Sequence, residues 1–339
     1  MKILVGLSGG VDSAYAALKL IRAGHTVEGA ILKMHEHIDI LSARTVASEL
    51  SIPLHEIDVT KRFEEIVKED LINCYLNGKT PNPCIICNEK VKFAALYEYA
   101  AENGFDRIAT GHYAIVSEKN GRFAVETAPD TRKDQSYMLY RLPQNILSAL
   151  VLPIGEEHKA DVRANSAESG VSVAGKKDSQ EICFLPDGHY ADYIENKMGK
   201  SPEGDFVDPD GRILGRHKGI IRYTVGQRKG LGISLGKRAF VTDISPETNQ
   251  ITLSTEMTGK TEIELSSIVY SGLEPQAEAT ARFFEVKLRY TAPLIGCMTH
   301  MCSDGRVILK FDSPVICAPG QSAVLYEKGR VMLGGYIER

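Results

Sequence analysis

The chain has 339 residues, of which 40 are Lys or Arg and 44 are Asp or Glu, giving a net charge of −4; this length suits two or three domains. Apolar residues make up 43% and charged residues 25%, as in ordinary globular proteins. No run reaches the roughly 18 to 20 apolar residues of a membrane span, and no signal-peptide pattern opens the chain. We therefore expect a cytoplasmic protein without a membrane partner, whose seven cysteines are thiols by default.

The first half of the chain alternates strand and helix patterns. An apolar run at 3–7 predicts a buried strand, and apolar residues at helical spacing from Val11 to Ile21 predict the helix that follows. Further predicted strands lie at 26–32, 54–58 and 107–110, and further predicted helices at 39–50, 61–75 and 89–103. Strands separated by helices of roughly 10 to 15 residues predict a parallel, doubly wound α/β sheet.

The sequence changes character after about residue 190. Glycine and proline become frequent, and short alternating runs appear at 240–244, 251–254, 285–290, 306–311, 322–326 and 331–337. Short strands with turn signals between them predict small β-barrels or sandwiches. We therefore predict an α/β domain over 1–190, a central β module over 191–258 and a C-terminal β-barrel over 259–339.

Positive charge is concentrated in the predicted central module. The stretch 212–238 contains no Asp or Glu but eight basic residues: Arg212, Arg216, Lys218, Arg222, Arg228, Lys229, Lys237 and Arg238. Such local asymmetry in an acidic chain is typical of a surface that binds a polyanion. The alternative is a solvated, glycine-rich loop region.

The turn after the first predicted strand reads SGGVDS at 8–13. A glycine-rich turn that opens a helix favours an anion, because unpaired N–H groups and the helix dipole point outward. Gly9 and Gly10 allow close backbone approach, and the hydroxyls of Ser8 and Ser13 can donate to phosphate. Asp12 indicates a metal-bound phosphate or a capping role. The turn lacks the lysine of a Walker A motif and is not GxGxxG.

SGGVDS in this strand–turn–helix context resembles the pyrophosphate loop of the ATP pyrophosphatase (PP-loop) family. Those enzymes activate a carbonyl oxygen as its adenylate and release pyrophosphate. The resemblance implies ATP with Mg²⁺ as cofactor and no other metal, on an adenine nucleotide alpha hydrolase-like fold. Family members include GMP synthetase, argininosuccinate synthetase and several tRNA-modifying enzymes, so the loop indicates the activation chemistry and leaves the substrate open.

Two cysteine settings stand out, Cys84-x-x-Cys87 before a predicted helix and Cys183. A helix N-terminus, Lys90 and Lys92 near Cys87 are expected to lower its thiol pKa, and Lys176 and Lys177 to act likewise on Cys183. The first pair could be half of a zinc site completed by Cys297 and Cys302, or a redox pair. Alternatively, Cys87 and Cys183 act separately on one activated substrate. The lone cysteines are interpreted as small buried hydrophobes: Cys74, Cys297, Cys302 and Cys317.

Longer motifs narrow the resemblance. TPNPCIICNEKVKF at 80–93, GHYA at 111–114, DTRKDQSYMLYRL at 130–142, KKDSQEICF at 176–184 and RYTVGQRKGLGI at 222–233 are similar to those of the tRNA-specific 2-thiouridylase family, in the same order. KLRYTAPLIGC and APGQSAVLY extend the similarity almost to the C-terminus. This family replaces the position-2 oxygen of the wobble uridine of certain tRNAs with sulfur. The resemblance implies a catalytic first domain, a central tRNA-binding module and a barrel that braces the tRNA.

The resemblance also implies a course of reaction. ATP adenylates the uracil 2-oxygen, and pyrophosphate on the 8–13 loop leaves first. Cys183 carries sulfur as a persulfide, and Cys87 is the catalytic nucleophile that closes a transient disulfide with Cys183. The implied partners are the anticodon stem-loop of tRNA, a cysteine desulfurase or sulfur-relay protein, and a reductant that reopens the disulfide.

Site residues carry over by motif. The resemblance places ATP at Gly6, Leu7, Ser8, Gly9, Gly10, Val11, Asp12, Ser13, Met34 and Gly111. It places the target base, which must leave its stack, at Asn82, Pro83 and Cys84. It places tRNA contacts at His112, Lys133, Asp134, Gln135, Arg289, Tyr290 and Gln321. From the residues alone, His112 could instead cap a strand end, 133–135 could be a solvated loop, and 289–290 could lie on an alternating strand.

Two departures from the family pattern bear on function. The segment 35–39 is short, which implies that part of a nucleotide-side lid is missing, and Cys84 stands where some relatives carry an acidic residue. We expect an ATP-dependent tRNA 2-thiouridylase. The alternatives are another PP-loop enzyme, either a small-molecule sulfurtransferase or an amidating ligase, and a non-catalytic protein that binds tRNA or persulfide.

Overall fold

The computed structural model describes residues 1–169, 172–175, 182–185, 189–233, 236, 238–257, 259–275 and 280–338. In the first half of the chain one sheet contains the strands β1 (Lys2–Gly6), β2 (Thr26–Lys33), β3 (Leu54–Asp58), β4 (Arg107–Ala109) and β7 (Leu150–Val151). All its neighbours pair in parallel, in the order β3-β2-β1-β4-β7. The predicted parallel α/β sheet is confirmed, as are its strands at 26–32, 54–58 and 107–110.

Helices connect these strands and cover the sheet. They are α1 (Val11–Arg22), α2 (Ile40–Glu49), α3 (Thr60–Phe63), α4 (Glu69–Leu76), α5 (Pro83–Cys87), α6 (Phe93–Glu102), α7 (Ser136–Leu139), α8 (Gln144–Ala149), α9 (Lys159–Glu168) and α10 (Tyr190–Met198). Short 3-10 turns occupy Ser172–Gly175 and Ile220–Arg222. Within the described ranges, no helix has the length and apolar character needed to cross a bilayer.

The strand order creates a crevice at one edge of the sheet. The chain leaves β1 toward β2 on one side, whereas it leaves β4 toward β7 on the other. Where connections of a parallel sheet diverge in this way, the carboxyl ends of the two strands leave a gap that ligands occupy. The loops that follow β1 and β4, at 7–10 and 110–114, therefore lie at the predicted binding edge.

The helix that carries the first cysteine pair begins earlier than predicted. Asn82 caps it by accepting a hydrogen bond from the Cys84 N–H at 3.2 Å, and Pro83 occupies the first helical position, where a missing N–H costs nothing. The π-helical segment Asn88–Lys92 then joins α5 to α6, just as Glu64–Lys68 joins α3 to α4. Both cysteines thus lie within the helix, so the prediction that Cys87 precedes the helix N-terminus is wrong.

The central module is a four-stranded sheet. Its strands are β8 (Gly204–Val207), β9 (Ile213–His217), β10 (Phe240–Ser245) and β11 (Gln250–Ser254), in the order β10-β11-β8-β9. Two of the eight basic residues form ion pairs with residues in the described ranges: Arg216 with Asp205 at 3.0 Å, and Arg222 with Glu195 at 2.6 Å. Lys237 lies outside the described part of the chain.

The C-terminal strands close into a six-stranded antiparallel barrel. They are β12 (Lys260–Tyr270), β13 (Thr280–Lys287), β14 (Ile295–Met301), β15 (Val307–Val315), β16 (Ser322–Glu327) and β17 (Arg330–Ile337). The order is β12-β15-β14-β13-β16-β17, and β17 pairs back onto β12, which confirms the predicted barrel. Closure leaves no free edge among these six strands.

A hairpin from the first half of the chain joins this barrel. Strands β5 (Ile115–Lys119) and β6 (Arg122–Glu126) extend the barrel sheet through β17. The buried Arg330 of β17 secures the junction by donating to the carbonyl of Arg122 at 2.8 Å and to the carboxylate of Glu126 at 3.2 Å. The sequence did not predict this crossing, because the hairpin pairs with a strand about 200 residues further along the chain.

Arg141 is a second link between the α/β domain and the barrel. Its guanidinium donates to Glu89 at 2.5 Å and to the carbonyl of Ser267 at 2.9 Å, and it lies 4.8 Å from the ring centre of Tyr336. Glu89 lies in the π-helical segment that directly follows α5, whereas Ser267 and Tyr336 belong to the barrel. The link therefore couples the barrel to the helix that carries Cys87.

We expect Arg141→Met to lower the free energy of unfolding by about 1–3 kcal/mol, because the Glu89 carboxylate, only 11% exposed, would keep only Lys90 as a charged partner among the described residues and the Ser267 carbonyl would lose its donor. Urea unfolding measures the change. The control is Arg306→Met, which removes an exposed ion pair with Asp304 and should leave the midpoint unchanged. An unchanged midpoint for Arg141→Met would contradict this role.

Candidate active site

The loop at 8–13 is shaped for close backbone approach. Gly9 has φ +70°, and a Cβ there would lie 2.6 Å from the Cβ of Ser42, so only glycine fits. Ser13 fixes the turn from inside, since its hydroxyl accepts from the Ser8 N–H at 3.2 Å and donates to the Gly10 carbonyl at 3.0 Å. Gly10 caps α1 without a side-chain hydrogen bond. These features suit the N-terminus of α1 to an anion.

Asp12 is held by two residues from distant parts of the chain. Lys159, at the start of α9, donates to both carboxylate oxygens at 2.7 Å, and the hydroxyl of Tyr113 donates to one of them at 2.8 Å. The Lys159 side chain is only 9% exposed. Asp12 is therefore the acidic partner of an ion pair with Lys159. Sequence analysis did not predict this pair, because no motif surrounds Lys159.

The two loops of the crevice touch directly at Gly111. A Cβ at this position would lie 2.5 Å from the carbonyl carbon of Asp12 and 2.6 Å from the nitrogen of Ser13. Only glycine allows the loop after β4 to pack against the backbone of the 8–13 loop. The structure therefore brings together the predicted ATP residues of these two loops.

Cys87 lies beside the end of β2. Its side chain is buried, with 6% exposure, and its sulfur is 3.8 Å from the sulfur of Met34, the first residue after β2. Burial raises the pKa of the Cys87 thiol to about 12, against a smaller lowering effect of the Lys92 charge and the Lys92 backbone N–H. The prediction of a lowered pKa is wrong, because desolvation outweighs the nearby cation.

Three thiols share one recess around Lys92. Cys84 and Cys183 are solvent-accessible, but burial of their surroundings raises the pKa of both thiols. Ionisation of Cys87 is further disfavoured by Cys183 and Cys84, and that of Cys183 by Cys84. The charge of Lys92 favours ionisation of all three. These mutual effects indicate that the two predicted catalytic cysteines lie within electrostatic range of each other.

Aromatic packing anchors the residue that follows Cys183. Phe184 is buried and lies edge-on to Phe63 at 5.3 Å and to Tyr193 at 5.9 Å between ring centres. The chain at Cys183 is therefore tied to the α/β domain and to α10. The expected effect of Lys176 and Lys177 on the Cys183 thiol concerns residues that the structure does not describe.

The remaining cysteines lie elsewhere. Cys297 is buried in the barrel core, a different cluster from the one that contains Cys87, so the arrangement gives no support to a shared zinc site. Among the described residues, no three His, Cys, Asp or Glu side chains are grouped to hold a metal ion. The prediction of a buried cysteine is confirmed for Cys297, whereas three others are only half-buried: Cys74, Cys302 and Cys317.

A turn of the barrel fixes the loop predicted to contact the target base. The N–H of Thr80 donates to the carbonyl of Pro319 at 2.7 Å, and the amide of Gln321 donates to the carbonyl of Thr80 at 2.8 Å. Downstream of this contact, Asn82 and the buried Pro83 start the cysteine helix. Gln321, predicted to contact tRNA, thus positions the 80–83 segment in this conformation.

His112, in the loop after β4, is a neutral side chain. Its Nδ1 is 2.8 Å from the Thr110 hydroxyl, and its ring centre is 5.4 Å from that of Phe93, next to Lys92. Burial, with a smaller effect of the Lys92 charge, lowers the pKa of His112 to about 3. The imidazole is therefore uncharged at neutral pH and offers a hydrogen bond rather than a positive charge.

The segment 133–135, predicted to contact tRNA, is not the solvated loop that the residues alone allowed as an alternative. Asp134 is 4% exposed and accepts hydrogen bonds from the N–H of Ala128 and the hydroxyl of Ser136. Gln135 accepts from the N–H of Tyr113 at 2.9 Å. Internal donors use the Asp134 carboxylate in this conformation, and the tRNA contact at Asp134 stays a prediction. Lys133 is half-buried at the rim of a cleft of about 690 Å³ beside α9.

Arg289 and Tyr290 lie in the turn after β13, which ends at Lys287. The alternative that placed them on an alternating strand is wrong. Arg289 is exposed, and the half-buried Tyr290 lies 6.1 Å from Tyr137 between ring centres. This position leaves the Arg289 guanidinium free of any ion pair with a described residue.

We expect alkylation of Cys87 in the free protein to accelerate about tenfold per pH unit from pH 7 to beyond pH 10, because the thiolate is the nucleophile and its pKa is raised to about 12. Quantitative mass spectrometry of the Cys87 peptide after iodoacetamide pulses measures the rate. Lys92→Met should slow alkylation at every pH, whereas Lys90→Met, which removes a lysine paired with Glu89, should not. A rate plateau below pH 9 would contradict the burial argument.

A parallel sheet with an SGGVDS loop at its diverging connections defines an ATP pyrophosphatase of the PP-loop class. Family models match nearly the whole chain: a tRNA methyl transferase HUP domain at 1–187, a tRNA methyl transferase PRC-barrel domain at 191–255 and an aminomethyltransferase β-barrel domain at 260–337. The chain belongs to the tRNA-specific 2-thiouridylase family, as its curated relatives show.

Three of these relatives are named tRNA-specific 2-thiouridylase MnmA. The protein of Clostridium tetani is 41% identical over 354 residues, covering 99% of this chain and 96% of the relative. That of Lachnoclostridium phytofermentans is 41% identical over 356 residues, covering 98% of each chain. That of Clostridium botulinum strain Alaska E43 is 40% identical over 357 residues, covering 99% of this chain and 98% of the relative. The family predicted from the motifs is confirmed.

Proposed function

We propose that this chain is an ATP-dependent tRNA 2-thiouridylase that replaces the 2-oxygen of a wobble uridine with sulfur. The observation that carries the proposal is the position of Cys87. Its sulfur contacts Met34 at the edge where the 8–13 loop lies, and Cys183 shares its recess. A nucleophilic thiol pair beside a pyrophosphate loop suits activation of an oxygen followed by its replacement with sulfur.

The first half-reaction makes the uracil oxygen a leaving group. The 2-oxygen attacks the α-phosphorus of ATP, and pyrophosphate departs toward the N–H groups of the 8–13 loop, where the α1 dipole favours its charge. Both oxygens of Asp12 accept from Lys159, so this carboxylate is not an open metal ligand in the described conformation. Mg²⁺ would accompany the phosphates of ATP and neutralise part of their charge.

The second half-reaction transfers sulfur. The terminal sulfur of a Cys183 persulfide attacks C2 of the adenylated uridine, AMP leaves with the bridging oxygen, and Cys87 attacks the Cys183 sulfur to release the thiocarbonyl product. The resulting Cys87–Cys183 disulfide holds the two electrons that an external reductant must return. Lys92 supplies positive charge to each thiolate in this sequence.

The proposal requires partners that the sequence also predicts. A cysteine desulfurase or sulfur-relay protein loads the solvent-accessible Cys183. The anticodon stem-loop presents the uridine, which must be extruded from its stack to reach the buried Cys87. A cytoplasmic site of action follows from this tRNA substrate.

Two measurements test the proposal. Purified protein, ATP, unmodified tRNA and a persulfide source are incubated, and tRNA nucleosides are quantified by liquid chromatography–mass spectrometry; we expect 2-thiouridine at the wobble position. Pyrophosphate release is followed with and without tRNA, and we expect it to depend on tRNA. A small-molecule sulfurtransferase or an amidating ligase would show no increase in pyrophosphate release when tRNA is added, because its acceptor is a different molecule. A non-catalytic binding protein would bind tRNA without releasing pyrophosphate or forming 2-thiouridine.

We expect the basic stretch 212–238 to bind tRNA phosphates through those of its Lys and Arg side chains that form no ion pair with described residues. Arg228 and Lys229 are exposed and form no ion pair with any residue in the described ranges. We expect Arg228→Ala/Lys229→Ala to weaken tRNA binding and to reduce the slope of log Kd against log salt by about 1 to 2, because each phosphate contact contributes about 0.7 to 0.9. Filter binding at several salt concentrations measures the slope.

Arg222 provides the matched control for this prediction. It is committed to Asp192 and Glu195 of α10, so Arg222→Ala should lower stability and leave the salt slope nearly unchanged. An unaltered salt slope in the Arg228→Ala/Lys229→Ala variant, or an equal change of the salt slope in Arg222→Ala, would show that this basic stretch does not bind the tRNA phosphates.

A further inference from the structure

The three thiols of the recess differ in access. Cys87 is 6% exposed, whereas Cys84 and Cys183 are both open to solvent. Sulfur must enter this recess at one thiol, and reducing equivalents must also enter in each turnover of the proposed reaction. Two different external molecules would compete for Cys183 if it were the single accessible sulfur for both tasks.

Cys84 and Cys87 are placed to form a bond with each other. They lie three residues apart in α5, on the same helix face. Side chains at this spacing have Cβ atoms about 5 to 6 Å apart, and a small adjustment of the helix start brings them to the roughly 3.5 to 4.5 Å of a disulfide. Asn82 and Pro83, which begin the helix, are the residues that would adjust.

Lys92 is the cation available to all three sulfurs. Its neighbour Lys90 is paired with Glu89 at 3.0 Å, whereas the half-buried Lys92 forms no ion pair with a described residue. Its charge favours the thiolate at each of the three positions. A thiolate that leaves during exchange is thus stabilised whichever cysteine carries it.

We propose that Cys84 is the resolving thiol of this site, which moves the disulfide from Cys87–Cys183 to Cys84–Cys87; the proposal rests on the proposed function. The Cys84 thiolate attacks the Cys87 sulfur, the Cys84–Cys87 bond forms, the Cys87–Cys183 bond breaks, and Cys183 leaves as a thiolate. The proton released by Cys84 passes to solvent or to Cys183, and the exchange involves no net oxidation.

Reduction then occurs at the accessible end of the pair. An external dithiol attacks the exposed Cys84 sulfur, and its second thiol closes on the first, which returns Cys84 and Cys87 as thiols and yields the oxidised dithiol. Cys183 is meanwhile free for the next persulfide. Sulfur therefore enters at Cys183 and electrons enter at Cys84, so the two deliveries do not compete for one sulfur.

The first test does not depend on turnover. The full-length protein is oxidised with one equivalent of diamide and quenched with acid to stop thiol–disulfide exchange. It is then denatured, alkylated with excess N-ethylmaleimide near neutral pH and mapped by mass spectrometry. In wild type we expect a Cys84–Cys87 disulfide with Cys183 alkylated, and in Cys84→Ser a Cys87–Cys183 disulfide. Cys74→Ser, which alters a half-buried cysteine of α4, should match wild type. Cys84 fully alkylated in oxidised wild type would overturn the proposal.

The second test uses the reaction itself. Protein loaded with one equivalent of persulfide gives the single-turnover rate of 2-thiouridine formation, and excess persulfide with a dithiol reductant gives the steady-state rate. We expect the ratio of steady-state rate to single-turnover rate to fall at least tenfold in Cys84→Ser and not in Cys74→Ser. An unchanged ratio overturns the role of Cys84. Absence of 2-thiouridine from wild type in a single turnover would instead overturn the proposed function, while the diamide mapping still decides the exchange.

Discussion

Replacing either Cys87 or Cys183 with serine is expected to lower the rate of tRNA 2-thiolation by about a thousandfold or more. A serine hydroxyl cannot carry sulfane sulfur at position 183, and it cannot attack sulfur to release the product at position 87. Removal of a nucleophile that acts as part of a unit costs a comparable or larger factor in other enzymes. The measurement is 2-thiouridine formed per protein per minute, by mass spectrometry of tRNA nucleosides.

Binding and folding should be preserved in these two variants. The change from sulfur to oxygen is small, and Cys183 is exposed, so we expect the Kd for tRNA to stay within about threefold of wild type. Cys302→Ser, in the turn after β14 and far along the chain from the recess, is the control and should retain the wild-type rate. Wild-type turnover by either Cys87→Ser or Cys183→Ser would show that the two-thiol mechanism is wrong.

The fold was predictable where local patterns determine it. Four of the five parallel strands were predicted from local patterns, and the prediction at 54–58 agrees with β3 at both ends. The two-residue strand β7 is too short to carry such a pattern and was not predicted. The hairpin of β5 and β6 could not be assigned to the barrel sheet, because its partner β17 is remote in sequence. A pairing between strands so far apart in the sequence produces no pattern in the residues around either strand.

The residues of the candidate site were likewise predictable only where a local motif identifies them. The 8–13 loop and the two cysteines were identified from their own neighbourhoods, because glycine, serine and thiol chemistry is visible in a short motif. Lys159 was missed, since its partner Asp12 is 147 residues away and a lone lysine carries no signal. The start of the cysteine helix was placed too late at 89, although Asn82-Pro83 is a cap and first-turn pair that could have located it.

The pKa of Cys87 shows why sequence proximity misleads about electrostatics. Lys92 does favour the thiolate, as its position in the sequence predicts, but burial of the sulfur has the larger effect and the opposite sign. Burial depends on Met34 and on the packing of the whole domain, which no window of sequence reports.

The second large effect is expected on ATP binding, from loss of the ion pair between Asp12 of the 8–13 loop and Lys159. Lys159→Met should weaken ATP binding by about a hundredfold or more, because the Asp12 carboxylate would then face the polyphosphate without its 2.7 Å partner. Loss of one member of a largely buried ion pair typically costs about 3–5 kcal/mol in the state that keeps the other charge. Calorimetric titration with a non-hydrolysable ATP analogue measures the Kd.

A second substitution separates charge from shape in this prediction. Asp12→Asn in the Lys159→Met background removes the orphaned charge, so the double variant should recover at least tenfold of the lost affinity, a coupling that independent sites do not show. The matched control is Lys19→Met, which breaks a 2.5 Å pair between α1 and Glu157 away from the loop and should leave the Kd unchanged. If the double variant binds ATP no better than Lys159→Met, the lysine acts through direct contact with phosphate, and Asp12 is not the group it neutralises.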